Sequence, residues 1–194
     1  MNLRRLKNIR KPVFSYTDIS RCLDISTESA KVTAARYIKA GYLLRLKKGL
    51  YVFPDQWDNF TIEKKFEIAN LLQTPSYISL TTALSYYDIS TQMQQDYFES
   101  IALKRTKTVY IKSSVFTYTR IKDNLYFGFK KYRSFFIAEP EKAFLDALYL
   151  TSLGRYHLDL SAIYKEKLAP DKLNNFLERF PLSIQKRLKQ YEFI

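Results

Sequence analysis

The stretch Ser15–Pro54, SYTDISRCLDISTESAKVTAARYIKAGYLLRLKKGLYVFP, decides how this chain is read. Its opening predicts a helix over Tyr16–Leu23, with Ile19 and Leu23 one turn apart and Ser15 or Thr17 placed to cap the first N–H groups. Leu23–Ser26 reads as a tight turn. Ser26 or Thr27 then caps a longer helix over Glu28–Ala40, and Gly41 stands where a left-handed residue would end it. Within Tyr42–Phe53, two strand-like runs flank Lys47-Lys48-Gly49, whose glycine allows the positive φ of a hairpin turn. Pro54 closes the segment. Upstream, Leu3, Leu6 and Ile9 mark a short helix over Asn2–Ile9 that Pro12 ends. Helix, helix, tight turn, longer helix and basic-tipped hairpin is the order of a winged helix-turn-helix.

Charge concentrates on the same stretch. The 194 residues carry 32 Lys and Arg against 19 Asp and Glu, a net +13. Residues 1–54 hold twelve of those cations and three acids, so +9 sits on little more than a quarter of the chain. That balance predicts a polyanionic partner, nucleic acid or an anionic membrane surface. A helix of this kind fits a DNA major groove. Its polar candidates are Thr27, Ser29, Lys31, Thr33, Arg36 and Lys39. Arg45, Lys47 and Lys48 of the hairpin would reach phosphates or the minor groove. Two stripes, Ala30-Ala34-Tyr37-Gly41 and Val32-Ala35-Ile38, leave open which face of the helix is buried.

A second concentration, Glu99–Arg133, holds nine cations and two acids. It supplies Lys104, Arg105, Lys107, Lys112, Lys130, Lys131 and Arg133 as a second basic patch. Tyr110, Phe116, Tyr118, Tyr126, Phe127, Phe129 and Tyr132 lie among them. Three readings stay open: a platform for RNA or single strands, a protein-interaction surface, and an aromatic sheet core under a solvated face.

The composition shift places a domain boundary at Pro54, giving domains 1–54 and 55–194. In the second, Thr61 caps a helix reaching Gln73, Ser76–Ile78 is strand-like, and Leu80–Tyr87 is helical. The runs IALKR, TVYIK, VFTYTRI, NLYFGF and YRSFFI between Tyr97 and Ile137 predict strands, with Asp123-Asn124 as a hairpin turn. Pro140 fits the first turn of a helix over Glu139–Leu150. Further helices are expected over Leu158–Leu168, Pro170–Phe180 and Ser183–Tyr191. The fold class is therefore α+β: an N-terminal winged helix-turn-helix, then a mainly antiparallel sheet with packed helices.

Catalysis finds little support. His157 is the one histidine, which excludes a two-histidine metal pair. Cys22, the one cysteine, excludes an internal disulfide and suits a reducing cytoplasm; inside the helix-turn-helix it is expected as a core thiol. Four glycines and no GxxxxGK[ST] or GxGxxG leave no phosphate-cradling loop. Of the acids Asp96, Glu99, Asp123, Glu139, Glu141 and Asp146, the last three surround one helix start, where capping and dipole complementarity account for them. No metal or cofactor is expected. No run of about 18 apolar residues predicts a membrane span, and the basic start MNLRRLKNIRKP lacks the apolar core of a signal peptide.

Three pieces in order carry a likeness to a known family: AGYLLRLKKGLYVFP at Ala40–Pro54, PSYISLTTALSYYDIS at Pro75–Ser90, and IAEPEKAFLDALYL at Ile137–Leu150. The chain resembles the AbiEi-type antitoxins of type IV toxin–antitoxin systems, winged-helix transcriptional regulators. The resemblance implies an N-terminal domain that binds double-stranded operator DNA at inverted repeats and represses its own operon; a symmetric operator suits a homodimer. It further implies a C-terminal domain carrying antitoxin function, and a nucleotidyltransferase-like toxin encoded nearby. It places the groove helix on Thr27–Lys39 and the wing on Arg45–Tyr51.

Overall fold

Ser15 starts the first structured turn as a reciprocal cap. Its hydroxyl accepts from the Asp18 N–H, and the Asp18 carboxylate accepts from the Ser15 N–H at 2.8 Å. Such capping boxes satisfy two of the otherwise orphaned donors of a helix start. The computed structural model describes residues 3–92 and 94–190, with only the backbone of Lys189 and Gln190. The chain divides into two units, the first ending at Ile62 and the second beginning at Glu63.

In the first unit, α1 (Leu3–Leu6) is shorter than the sequence predicts, and Asn2 lies outside the described residues. α2 (Tyr16–Leu23) ends on Asp24 in the left-handed region, and α3 (Thr27–Lys39) follows with Ser26 as its cap. The end of α3 explains Gly41. Its φ is +75°, its N–H donates to the Ile38 carbonyl, and the Tyr42 N–H donates to the Tyr37 carbonyl. This paired closure needs a left-handed residue at that point. β1 (Phe14–Ser15), β2 (Leu44–Lys47) and β3 (Leu50–Val52) form an antiparallel sheet in the order β1-β3-β2. Leu6, Ile19, Leu23, Ala30, Ala34 and Tyr37 join Phe14, Tyr51 and Phe53 in one buried cluster. The charge changes at Pro54, but the chain packs onward through a helix the sequence reading omits, α4 (Pro54–Asp58), with Trp57 buried.

The second unit is built on six strands: β4 (Ser76–Ile78), β5 (Tyr97–Ala102), β6 (Lys107–Ile111), β7 (Ser114–Arg120), β8 (Phe129–Tyr132) and β9 (Phe135–Ala138). Their order is β6-β7-β5-β4-β9-β8. Three of the five pairings, β4–β5, β6–β7 and β8–β9, are antiparallel, but the sheet is mixed, since β4 pairs with β9, and β5 with β7, in parallel. Asp123-Asn124 is no hairpin turn. It opens a 3-10 turn (Asp123–Leu125), anchored by buried Leu125, that begins a crossing to the far edge of the sheet. The true hairpin turn is Arg133-Ser134, inside the run predicted as one strand, with Arg133 at φ +52°.

The helices are α5 (Ile62–Leu72), α6 (Leu80–Tyr86), α7 (Pro140–Ser152), α8 (Pro170–Leu177) and α9 (Leu182–Gln190). The last helix covers the predicted one except Tyr191, which lies outside the described residues. No α-helix forms over 158–168. Two 3-10 turns, Leu160–Ala162 and Lys165–Lys167, take its place. Leu158, Ile163 and Leu168 are buried there, and a spacing of five residues cannot stay on one face of a helix with about 3.6 residues per turn.

α7 is buried along most of its length and carries a charged pair inside the core. Lys142 and Asp146, one turn apart, are both wholly buried and paired. The Lys142 ammonium also donates to the Tyr77 hydroxyl at 2.9 Å. Asp146 accepts from the Tyr77 and Ser79 hydroxyls, each at 2.9 Å. Burial raises the Asp146 carboxyl and lowers the Lys142 ammonium, and their contact opposes both shifts. Gly128 leaves room for the lysine stem: a Cβ there would come within 3.0 Å of Lys142 Cγ. Asp146 is thus a core partner and not a dipole-complementing acid at the helix start. Replacing Asp146 by Ala strands a buried ammonium and should destabilise the second unit by about 3–5 kcal/mol, read by urea unfolding of the full chain.

Glu99 on β5 is 3% exposed. It accepts from the Thr82 N–H at 3.3 Å and the Tyr156 hydroxyl at 3.1 Å, yet burial pushes its carboxyl from 4.5 to about 7. The folded protein therefore holds this proton more tightly than the unfolded chain. Its stabilising contribution is complete below about pH 4.5 and lost as pH rises through about 7. Glu99→Gln should gain stability over the parent across that window, up to about 3 kcal/mol at pH 8, measured by urea unfolding at stepped pH. A parallel pH dependence in both proteins would refute the assignment.

Candidate nucleic-acid interface

Which face of α3 turns outward is settled by its small residues. Ala30, Thr33, Ala34 and Tyr37 are buried. Glu28, Val32, Ala35 and Lys39 run down the middle of the exposed face, since positions three, four and seven apart stack on a helix. Ser29, Lys31 and Arg36 are exposed along its flanks, and Thr27 is half-buried at the start. Thr33 is a correction to the predicted set. At 6% exposure it belongs to the packed face, where its hydroxyl accepts from the Arg36 guanidinium at 3.3 Å. Val32, which the sequence reading left on an apolar stripe, is 60% exposed.

The flanking cations are held in different ways. Lys31 pairs with Glu28 at 3.3 Å and lies over the Tyr16 ring, 5.2 Å from its centre. Both charges of that pair are well exposed, so it is worth little and yields easily to a phosphate. Arg36 sits one turn further along, tethered only by Thr33 among the contacts described.

Arg45, Lys47 and Lys48 are exposed on the β2–β3 hairpin, whose turn uses Gly49 at φ +81°. Tyr16 links this hairpin to α3. A Cβ on Gly49 would stand 3.0 Å from Tyr16 Cε1, and Lys31 lies over the same ring, which also packs against the buried cluster. One half-buried aromatic therefore brings the turn of the wing and the start of the groove helix to the same place. No linear pattern exposes this role, because the three residues are remote in sequence. Gly49→Ala should displace Tyr16 and strain the backbone, lowering stability by about 1–2 kcal/mol in thermal unfolding of the full chain.

The second set of cations is not one patch. Lys104 and Arg105 follow β5, Lys107 opens β6, and Lys112 lies in the β6–β7 turn; Lys130 and Lys131 are on β8, and Arg133 is in the turn after it. β6 and β8 are opposite edges of the sheet, about 24 Å apart at the usual strand spacing. Lys107 is partly buried, donating to the Leu72 carbonyl at 3.0 Å. Of the aromatic residues that could stack on bases, Phe116 and Tyr118 are buried, while Tyr110 is 73% exposed. Such a set cannot form a single continuous stacking platform.

The acids are likewise dispersed. Asp96 meets Lys65 and Ser114, Glu139 meets Lys172, and Glu141 accepts from the Ala169 N–H at 3.0 Å. Asp123 is exposed, as is His157. Among the described residues, no group of three or more His, Cys, Asp or Glu is placed to hold a metal ion. Cys22 is half-buried, its thiol donating to the Arg5 carbonyl at 3.0 Å. No helix among them is long and apolar enough to cross a membrane.

Three helices with the third turned outward, followed by a two-stranded wing, define the class: a winged helix-turn-helix unit. Residues 3–54 match the family model described as "Transcriptional regulator, AbiEi antitoxin". The match coincides with this unit and agrees with the family resemblance of the sequence. No curated protein matches the chain.

Proposed function

We propose that this protein is a DNA-binding regulator that represses its own operon as an AbiEi-type antitoxin, with α3 in the major groove of duplex operator DNA. The observation that carries the reading is the outward face of α3, flanked by Lys31 and Arg36 and joined through Tyr16 to a basic wing. The flanking cations are suited to the phosphates on either side of the groove, and Lys39 stands at the C-terminal end of the central row. Arg45, Lys47 and Lys48 take phosphates beside it. Ser29 and Thr27 supply hydroxyls at the helix start, where backbone N–H groups also favour an anion. The centre of the face offers Glu28 to a cytosine amino group and Val32 or Ala35 to a thymine methyl. Affinity then comes mainly from phosphate neutralisation and specificity from few base contacts.

The remaining parts of the proposal follow from the family resemblance. The protein acts in the cytoplasm, binds an inverted repeat as a homodimer, and opposes a nucleotidyltransferase-like toxin encoded nearby. The second unit carries the antitoxin role.

A gel shift on the DNA upstream of the gene, titrated with salt, tests the central claim. With five or six phosphate contacts, log affinity should fall with log salt at a slope of about −4.5 to −5.5. Lys31→Ala with Arg36→Ala should weaken all duplexes alike, as should Lys47→Ala with Lys48→Ala, whereas Glu28→Ala with Val32→Ala should abolish the preference for the operator. Wild-type retention by both α3 double variants would remove α3 from the groove.

A further inference from the structure

The geometry points to the free edge of β8 as a docking site for an extended acidic segment of a protein partner, added to the sheet as a seventh strand. β8 ends the strand order, and its one strand neighbour is β9. The hydrogen-bonding sense of this edge can be read from Phe136. Its N–H donates to Asn70 Oδ1 at 2.6 Å, away from β8. Phe136 faces Lys131 across the pair. The Lys131–Phe136 pair is therefore the non-hydrogen-bonded kind, and the N–H and carbonyl of Lys131 point out along the open edge. Alternation gives Phe129 the same sense. These are the groups an added strand would take up.

Charge and shape select the occupant. Lys130, Lys131 and Arg133 are exposed, and no ion pair engages them among the described residues. Lys130 and Lys131, being consecutive, point to opposite faces of the sheet. A strand laid alongside thus meets a cation whichever way its acids face. On the face that Lys131 shares with Phe129 and Phe136 opens a largely apolar groove of about 520 Å³ lined by Leu71, Tyr126, Phe129 and Phe136, with Glu67 also in its lining but paired with Lys64 at 2.9 Å. Leu71 is 36% and Phe136 40% exposed. The groove takes an apolar side chain alternating with the acids. A second copy of β8 would set lysine against lysine, the device by which edge strands reject their own kind. A nucleic-acid backbone would use the cations but leave the outward main-chain groups and the groove unmatched. The occupant is accordingly an acidic-and-apolar segment in extended form.

The test uses the full chain and a fluorescein-labelled octapeptide alternating Glu with Val or Phe, followed by fluorescence anisotropy. Saturable binding is expected, weakened at least tenfold by Lys130→Glu with Lys131→Glu. N-methylation of the peptide at alternate residues should weaken binding at least tenfold in one register and leave it within about twofold in the other. This readout does not depend on any variant folding. Three results would overturn the proposal: no saturable binding; equal binding by both N-methylated peptides, which means charge alone; or a random-sequence duplex that loses as much affinity as the peptide in the double lysine variant, which assigns the edge to nucleic acid.

Discussion

Close packing of α3 through two alanines is the constraint on which the first unit rests. Ala30 and Ala34 are wholly buried in a cluster with Ile19 and Leu23 of α2. Small side chains allow two helices to approach closely, and in a dense interior even one added methylene is felt. Once this stripe is inward, the geometry of a helix puts Glu28, Val32, Ala35 and Lys39 outward. The same packing holds the left-handed Asp24 and the Ser26 cap in a turn too short to rotate. The functional face of α3 is thus a consequence of what its other face buries.

The second unit relies on a costlier device. Lys142 and Asp146 are sealed in the core, with the lysine ammonium 5.1–5.4 Å from the ring centres of Tyr77, Phe127 and Phe180. Burying two ions is seldom a net gain over apolar packing. The pair instead fixes geometry: Asp146 ties α7 to Tyr77 on β4 and to Ser79 just beyond it. An apolar pair at these positions would leave both hydroxyls without their acceptor. β4 is also the strand between the β5–β7–β6 half of the sheet and the β9–β8 half, and it meets β9 at one residue pair, Ile78 with Ile137, so Asp146 ties α7 to the strand that joins the two halves.

Much of the first unit was legible because its signals are local. Ser15, Ser26, Gly41 and Gly49 each act within a few residues of their own position, and each stands where it is predicted to stand. What was not legible depends on partners far along the chain. Thr33 looks like any polar residue of a basic helix until the packed face is known, and Val32 looks like core for the same reason. Tyr16 joins Lys31 to Gly49 through space alone. In the second unit, alternation located most strands but not their order. Parallel pairing of β5 with β7 gives no mark in either sequence, and a crossing from β7 to β8 looks like a short turn when only the residues Asp123-Asn124 are weighed. The composition of Glu99–Arg133 therefore reads as one basic surface, although the topology puts Lys107 on one edge and Lys130 and Lys131 on the other.

That division changes what the charge can mean. Cations spread over one face would sum their fields and draw in a long polyanion from a distance. Lys107 on one edge and Lys130 and Lys131 on the other, about 24 Å apart, are separated by more than twice the screening length of about 8 Å at physiological salt. Each edge then acts by itself, and its short-range features decide its role. On β6 the exposed residues are Thr108 and Tyr110, and Lys107 is turned back to the Leu72 carbonyl. On β8 and its turn the cations are exposed, Lys130 over the Tyr87 ring and Arg133 over the Tyr132 ring, and a largely apolar groove lies alongside. Long-range electrostatics belongs to the first unit, where twelve cations and three acids share 54 residues, and contact chemistry belongs to the second.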